Sequence, residues 1–240
     1  LDTGMHRLGF DASELTELLT ALSDTKKVKI MSVFTHLVAS DNPQHDEFTK
    51  TQLQHFTEMY AKIADKLGYE PIKHALNTSG VSRWHNAQFD MVRLGIGLYG
   101  FDNVIETNNS LQTVAVLKTT VTQIKSLNAG ESVGYNRLGV LPMGGNIATV
   151  KIGYADGYSR KFGNGVGQMA VNGKMVPTIG SICMDMCMLD VTGLDVKVGD
   201  EVIVFDEKHS IEELARQIGT IPYEILTNVS QRVKRVYFYE

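Results

Sequence analysis

Residues 27–77 read KVKIMSVFTHLVASDNPQHDEFTKTQLQHFTEMYAKIADKLGYEPIKHALN, and their pattern decides the fold class. An apolar, β-branched run, KVKIMSVFTHL, predicts a buried strand. From about Gln44 to Leu67, Phe48, Phe56, Tyr60, Ile63 and Leu67 recur at roughly helical spacing, and Gly68 followed by Pro71 ends the helix in the expected order. IKHALN is the next strand. A parallel strand–helix–strand unit follows from that alternation.

Working outward, Asp11 can cap a helix with Glu14 three residues on, and Leu15, Leu18, Leu19 and Leu22 form its apolar face. A short helical piece is expected around Val81 to Asn86, and a third strand over MVRLGIGLYGF, residues 91–101. The order βαβαβ has too few strands to close a barrel. From Gln112 the pattern changes: VAVLKTTVTQIKSL suits a strand with one wet face, MAVNGKMV a hairpin turning at Asn172-Gly173, and VGDEVIVFD a further strand. IEELARQIG and PYEILTNVS read as short helices before a last strand, VKRVYFY. The expected organisation is an α/β part over residues 1–110 and a mostly β part over 111–240.

The chain has 240 residues, 43% hydrophobic and 21% charged, the composition of a globular protein. A formal charge of -4 and a pI near 6.0 give no basic footprint, which points away from nucleic acid and anionic membranes and toward a small-molecule substrate. No apolar run approaches the roughly 20 residues that span a bilayer, so a cytoplasmic location is expected. Cys183 and Cys187, four apart, fit no common zinc or redox spacing; two reduced thiols in a buried strand are expected, and no metal site.

In a parallel α/β barrel, reactive groups follow the strands. Here those positions hold Asp2, Thr3 and Arg7; then Thr35, His36 and Asp41; then Asn77, Thr78 and Ser79; then Arg93 and Gly95. Small hydroxyl and amide side chains with glycine suit a phosphate, which Asn77, Thr78, Gly95 and Ile96 could bind. Taken singly, His36 is more often a packed histidine and Arg93 a salt-bridge partner. Tyr154 follows the strand ATVKIG, with Gly153, Asp156 and Gly157 beside it, a setting compatible with a tight turn presenting a phenol.

Together, DTGMHRLGF, VFTHLVASD, HALNTSG, MVRLGIGLYGF, GESVGYNR, VKIGYADGY and SICMDMCMLDV resemble the alanine racemases, in order and from end to end. That resemblance implies the second half of a TIM-type (β/α)8 barrel holding pyridoxal 5'-phosphate, followed by a mostly β C-terminal domain. It implies interconversion of L- and D-alanine for peptidoglycan precursors, by a homodimer whose active sites are shared between subunits.

By the same resemblance, Tyr154 is one of two bases on opposite faces of the substrate α-carbon, supported by His36 and, behind it, Arg93. A free phenol titrates at about 10, and the permanent charge of Arg93 would favour the phenolate. Arg93 resembles the arginine on the cofactor pyridine nitrogen, leaving that nitrogen largely unprotonated. Arg7 resembles the arginine near the cofactor phenolic oxygen and the substrate carboxylate. Met184 and Asp185 match the segment receiving that carboxylate, and Asp41 a residue of the substrate entry path.

Departures from the pattern carry their own expectations. The Schiff-base lysine belongs to a motif like KANAYGHG, and nothing of that form occurs in this chain; Gln231 stands where some members have a phosphate-contacting tyrosine. With no initial methionine either, the chain is expected to be part of a longer protein and not to racemise alanine alone. A racemase for serine or another amino acid, and a non-catalytic cofactor-binding or dimerisation module, stay open on sequence.

Overall fold

The computed structural model describes residues 1–25, 27–104 and 111–238, which form two compact units, Leu1–Val114 and Ala115–Glu240. The expected division at residue 110 falls at 105–110, outside the described residues.

In the first unit, α1 (Leu15–Asp24) is entered through a reciprocal cap. Glu14 N donates to Asp11 Oδ1 at 3.2 Å, and Asp11 N donates to Glu14 Oε2 at 3.0 Å. Strands β1 (Ser32–Phe34) and β2 (Ile72–His74) pair in parallel, with Phe34 opposite His74. Between them runs α2 (Asp46–Leu67), stopped by Gly68 at φ 72. It packs Phe56, Met59 and Ile63 against Leu15, Val33 and Ala75. The helix α3 (Thr78–Arg83) starts earlier than the apolar spacing suggested, because Asn77 Oδ1 caps Gly80 N at 2.9 Å.

All three expected strands are shorter than their patterns, β2 stopping at His74 short of Asn77. Upstream of β1, Ile30 N donates to the Tyr69 hydroxyl and Ile30 O accepts from it, so that residue is paired by a side chain rather than a strand. The strand expected over 91–101 reduces to one parallel bridge, Met91 with His74, after which Ile96–Tyr99 makes a single 3-10 turn. The reason is a partner distant in sequence: Gly95 N and Gly97 N both donate to Thr78 Oγ1, at 3.1 and 3.2 Å, and Gly100 sits at φ 84. What remains is a partial α/β barrel.

The second unit closes on itself. Its strands are β3 (Leu117–Leu127), β4 (Ser132–Val133), β5 (Gly139–Val140), β6 (Gly145–Val150), β7 (Gln168–Val171), β8 (Lys174–Ile179), β9 (Cys187–Asp190) and β10 (Glu201–Phe205). Six of them form a closed barrel in the order β10-β3-β6-β9-β8-β7, and β4 and β5 pair separately. The sequence predicted strands here but not their closure. Alternating apolar positions fill the interior with Val121, Ala148, Val150, Met169, Val171 and Leu189. The β7–β8 hairpin turns at Asn172 (φ 50) and Gly173 (φ 75), the two positive angles a type I′ turn requires.

Two short helices follow, α4 (Ile211–Ile218), capped by Ser210 and ended by Gly219, and α5 (Pro222–Thr227). The expected last strand is absent over 233–238, and Tyr239 lies outside the described residues. Arg235 instead binds the carbonyls of Val229, Ser230 and Val233, folding the segment back toward α5. Cys183 is likewise not in a strand. Its N–H donates to Met186 O at 2.9 Å, making a turn before β9, and only Cys187 is buried in the sheet. Among the described residues no helix is long and apolar enough to cross a membrane.

Candidate active site

In the first unit, the groups following β1, β2 and the Met91 bridge converge on Arg93. Its Nη2 donates to the carbonyls of Thr35 (2.7 Å) and Ala75 (3.1 Å), and its Nη1 lies 2.5 Å from His74 Nδ1. The guanidinium also lies over the Phe34 ring, 4.9 Å from its centre, while Phe34 stacks on the His74 ring at 5.2 Å. Arginine can only donate, so His74 Nδ1 is the bare acceptor and the ring is the neutral Nε2–H tautomer. That Nε2 is buried without a hydrogen-bond partner among the described residues. Three of the five guanidinium N–H groups are thus taken up within the unit.

His36, expected next to Arg93, is not hydrogen-bonded to it among the described residues. Its own pKa is lowered, first by burial and then by the charges of Arg7 and Arg93. Arg7 itself is exposed, on a loop that Asp2 Oδ1 gathers by accepting from the N–H groups of Gly4, Met5 and His6. Behind His36, Gln52 is fully buried and its Nε2 donates to the His36 carbonyl and to Thr3 Oγ1, both at 3.3 Å; Thr3 and Thr35 share a hydroxyl contact at 2.7 Å. Asp41 is half-buried and accepts from Asn103 Nδ2.

The expected phosphate residues do come together. Asn77 Oδ1 accepts from Ser40 Oγ at 2.8 Å besides capping α3, and Thr78 is buried with its hydroxyl against Gly95 and Gly97. Among the described residues, a Cβ built on Gly95 would meet only Thr78 Oγ1, at 4.0 Å, whereas one on Gly97 would fall 2.8 Å from Thr78 Cγ2. The Gly95 side is therefore open and the Gly97 side filled. Ile96 is buried beside them.

In the second unit, Tyr154 follows β6 on the loop 153–158. Tyr154 N donates to Cys183 O at 3.0 Å and Ala155 N to Met184 O at 2.8 Å, so the loop lies along residues 183–185. Gly153 permits this approach: a Cβ there would be 2.4 Å from Cys183 O and 2.6 Å from Asp185 N. Tyr154, Met184 and Asp185 are all exposed, and they come from segments adjacent in space.

Sequence reading missed His74 and Gln52. His74 opens the quoted segment HALNTSG, but nothing in a strand-end histidine marks it as the partner of an arginine 19 residues on. Gln52 sits on the buried face of a helix, and a polar residue at an apolar position was the available signal.

Residues 1–103 match the family model "Alanine racemase, N-terminal domain" and residues 114–237 match "Alanine racemase, C-terminal domain". Alanine racemase 1 of Clostridium acetobutylicum is 37% identical, over 99% of this chain and 63% of its own length. Among solved structures, alanine racemase from Bartonella henselae with covalently bound pyridoxal phosphate is 32% identical with TM-score 0.87, covering 99% of this chain and 65% of that one. The enzyme from D-cycloserine-producing Streptomyces lavendulae is 28% identical with TM-score 0.91, covering 100% and 65%. A partial α/β barrel with a closed β barrel is thus the architecture of a known enzyme class. The chain belongs to the alanine racemase family, and it spans about 63% of the length of its curated relatives.

Proposed function

We propose that the full-length protein is an amino-acid racemase that interconverts L- and D-alanine with pyridoxal 5'-phosphate. The observation that carries this reading is the pairing of the Tyr154 loop with residues 183–185, which sets a phenol beside the segment read as receiving the substrate carboxylate. Racemisation needs proton removal on one face of a carbon and return on the other, by groups held within reach. Tyr154 supplies one such group, and the opposite base is a lysine outside these 240 residues. Family membership supports alanine as the substrate.

The residues present fit the cofactor. Arg93 keeps two N–H groups for an acceptor, here the pyridine nitrogen, after its contacts to His74, Thr35 and Ala75. The open side at Gly95, next to Asn77, Thr78 and Ile96, leaves room for a phosphate. When bound, the cofactor draws electron density from the substrate α-carbon and so acidifies its proton. Arg93, always protonated, keeps the pyridine nitrogen from taking a proton of its own and so moderates that effect. Arg7, the Met184 N–H and Asp185 orient the carboxylate, and Asp41 lies on the entry path. On the same reading the enzyme is a cytoplasmic homodimer whose sites draw on both subunits, and its D-alanine serves peptidoglycan precursors.

The test is isotopic. In the full-length protein in D2O, Tyr154→Phe should abolish α-proton exchange from one alanine enantiomer while sparing it from the other. Equal rates from both enantiomers would remove Tyr154 from this role.

A further inference from the structure

The phenol oxygen of Tyr154 has no hydrogen-bond partner among the described residues, so its position depends on the backbone of its loop. That loop is held from a second side. Asp156, two residues on and buried, uses its two oxygens differently: Oδ2 accepts from Gly153 N at 2.9 Å, and Oδ1 accepts from Arg232 Nε at 2.6 Å. Charge-assisted bonds of this length are the strong members of their class. Two backbone contacts run beside them. Ser230 N donates to Asp156 O at 3.0 Å, and Gly157, at φ 108, lies so close to Asn228 that a Cβ would fall 2.2 Å from its carbonyl oxygen.

The loop is therefore clamped between residues 183–184 and residues 228–232. Arg232 holds the 228–232 side of that clamp through Asp156. Its guanidinium pKa is raised, first by the hydrogen bond with Asp156 and least by the charge of Asp185.

We propose that Asp156 and Arg232 are positioning residues for Tyr154: their ion pair ties the tyrosine loop to the segment after α5 and fixes where the phenol stands beside Met184 and Asp185. The inference rests on the reading of Tyr154 as a proton-transfer group. A displacement of about 1 Å at a reacting group can cost on the order of 100-fold in rate, so a tether of this kind is worth having even where it touches no substrate.

The experiment uses the full-length holoenzyme, with Arg232→Gln, Asp156→Asn, Arg232→Lys and Tyr154→Phe. Two quantities are read: amide hydrogen exchange of residues 150–158, and kcat and KM in both directions. Arg232→Gln and Asp156→Asn should each speed exchange at Gly153, Tyr154 and Ala155 and lower kcat by roughly 10- to 100-fold. KM should stay within about twofold, the pattern of a group whose effect is confined to the transition state. Arg232→Lys, which keeps the charge without the Nε–H, should fall between wild type and Arg232→Gln on both readouts, and carries the test should Arg232→Gln not fold. Wild-type exchange in these variants, or faster exchange with unchanged kcat, overturns the proposal while Tyr154→Phe remains inactive. A Tyr154→Phe enzyme with wild-type kcat overturns the base reading and this inference with it.

Discussion

Arg93 donates to His74 Nδ1 at 2.5 Å, and the same guanidinium binds the carbonyls of Thr35, after β1, and Ala75, after β2. One side chain thus joins the ends of both strands and fixes the protonation state of a buried imidazole. Protonating His74 would set an N–H against an N–H and place a second positive charge beside the first. Its pKa is accordingly lowered, by burial and then by Arg93, and that of His36 is lowered by burial, Arg7 and Arg93.

A pH dependence follows with a definite sign. Both folded-state values lie below the ordinary 6.5, so on acidification the unfolded chain takes up these protons first. Folding stability is then undiminished above about 6.5 and falls as pH drops below it toward the lowered folded values. Urea unfolding of the full-length protein at pH 7 and pH 5 should show this loss, and His74→Gln should make the difference smaller. An unchanged difference in the variant would assign the acid sensitivity to other groups.

Gly153 is a second point at which one atom decides the site. Gly153→Ala would put a methyl 2.4 Å from Cys183 O and 2.6 Å from Asp185 N, both backbone atoms, so the Tyr154 loop must separate from residues 183–185. Overpacking of this kind costs about 1–3 kcal/mol. The expected result is a lower denaturation midpoint, together with loss of exchange protection at Tyr154 N and Ala155 N, the two amides that bind that segment. Retained protection at both would show that the neighbouring loop can yield.

At Thr78 the hydroxyl and the methyl have separate duties. Thr78→Val keeps the shape that fills the Gly97 side but removes the acceptor for Gly95 N and Gly97 N. Gly95 is exposed and Gly97 half-buried, so water can take up the freed amides and each lost bond costs about 0.5–1.5 kcal/mol; the 3-10 turn at 96–99 should loosen. Pyridoxal phosphate titrated into full-length Thr78→Val protein, followed by absorbance, should bind at least several-fold more weakly than to wild type. Equal affinity would argue against a phosphate site at this turn.

How much of this was legible in the sequence depends on the range of the interaction. Signals written within a few residues were readable: the Asp11/Glu14 box, the Gly68 stop, the Asn172-Gly173 turn and the periodicity of α2. The glycine-rich stretch 91–101 misled because apolar content suggests a strand, whereas the partner that sets its conformation, Thr78, lies 17 residues upstream of Gly95. Arg93 was marked by type and position, but its partner His74 was not, since strand register alone brings the two together. The clamp of Asp156 by Arg232 spans 76 residues, and no local pattern announces it. Cys183 shows the same limit from the other side, its run of apolar neighbours concealing a turn.

The two units have separate cores, and this separation can be tested. Phe56 is fully buried in the first, tilted against Tyr60 at 6.3 Å and Phe89 at 5.8 Å, with the Lys73 ammonium lying over the same three rings. Truncating a buried phenylalanine to alanine costs about 3–5 kcal/mol, a large share of the 5–15 kcal/mol that holds a typical protein folded. Among the described residues, the cluster around Phe56 is built from the first unit and the barrel core around Phe162 from the second. Phe56→Ala should therefore speed hydrogen exchange in α2, β1 and β2, and with them at Thr35, His74 and Ala75, where the Arg93 contacts are made. Barrel segments 168–190 should keep wild-type protection, and Phe162→Ala should give the reverse pattern. Loosening of both sets of segments by either substitution would mean that the two cores unfold as one.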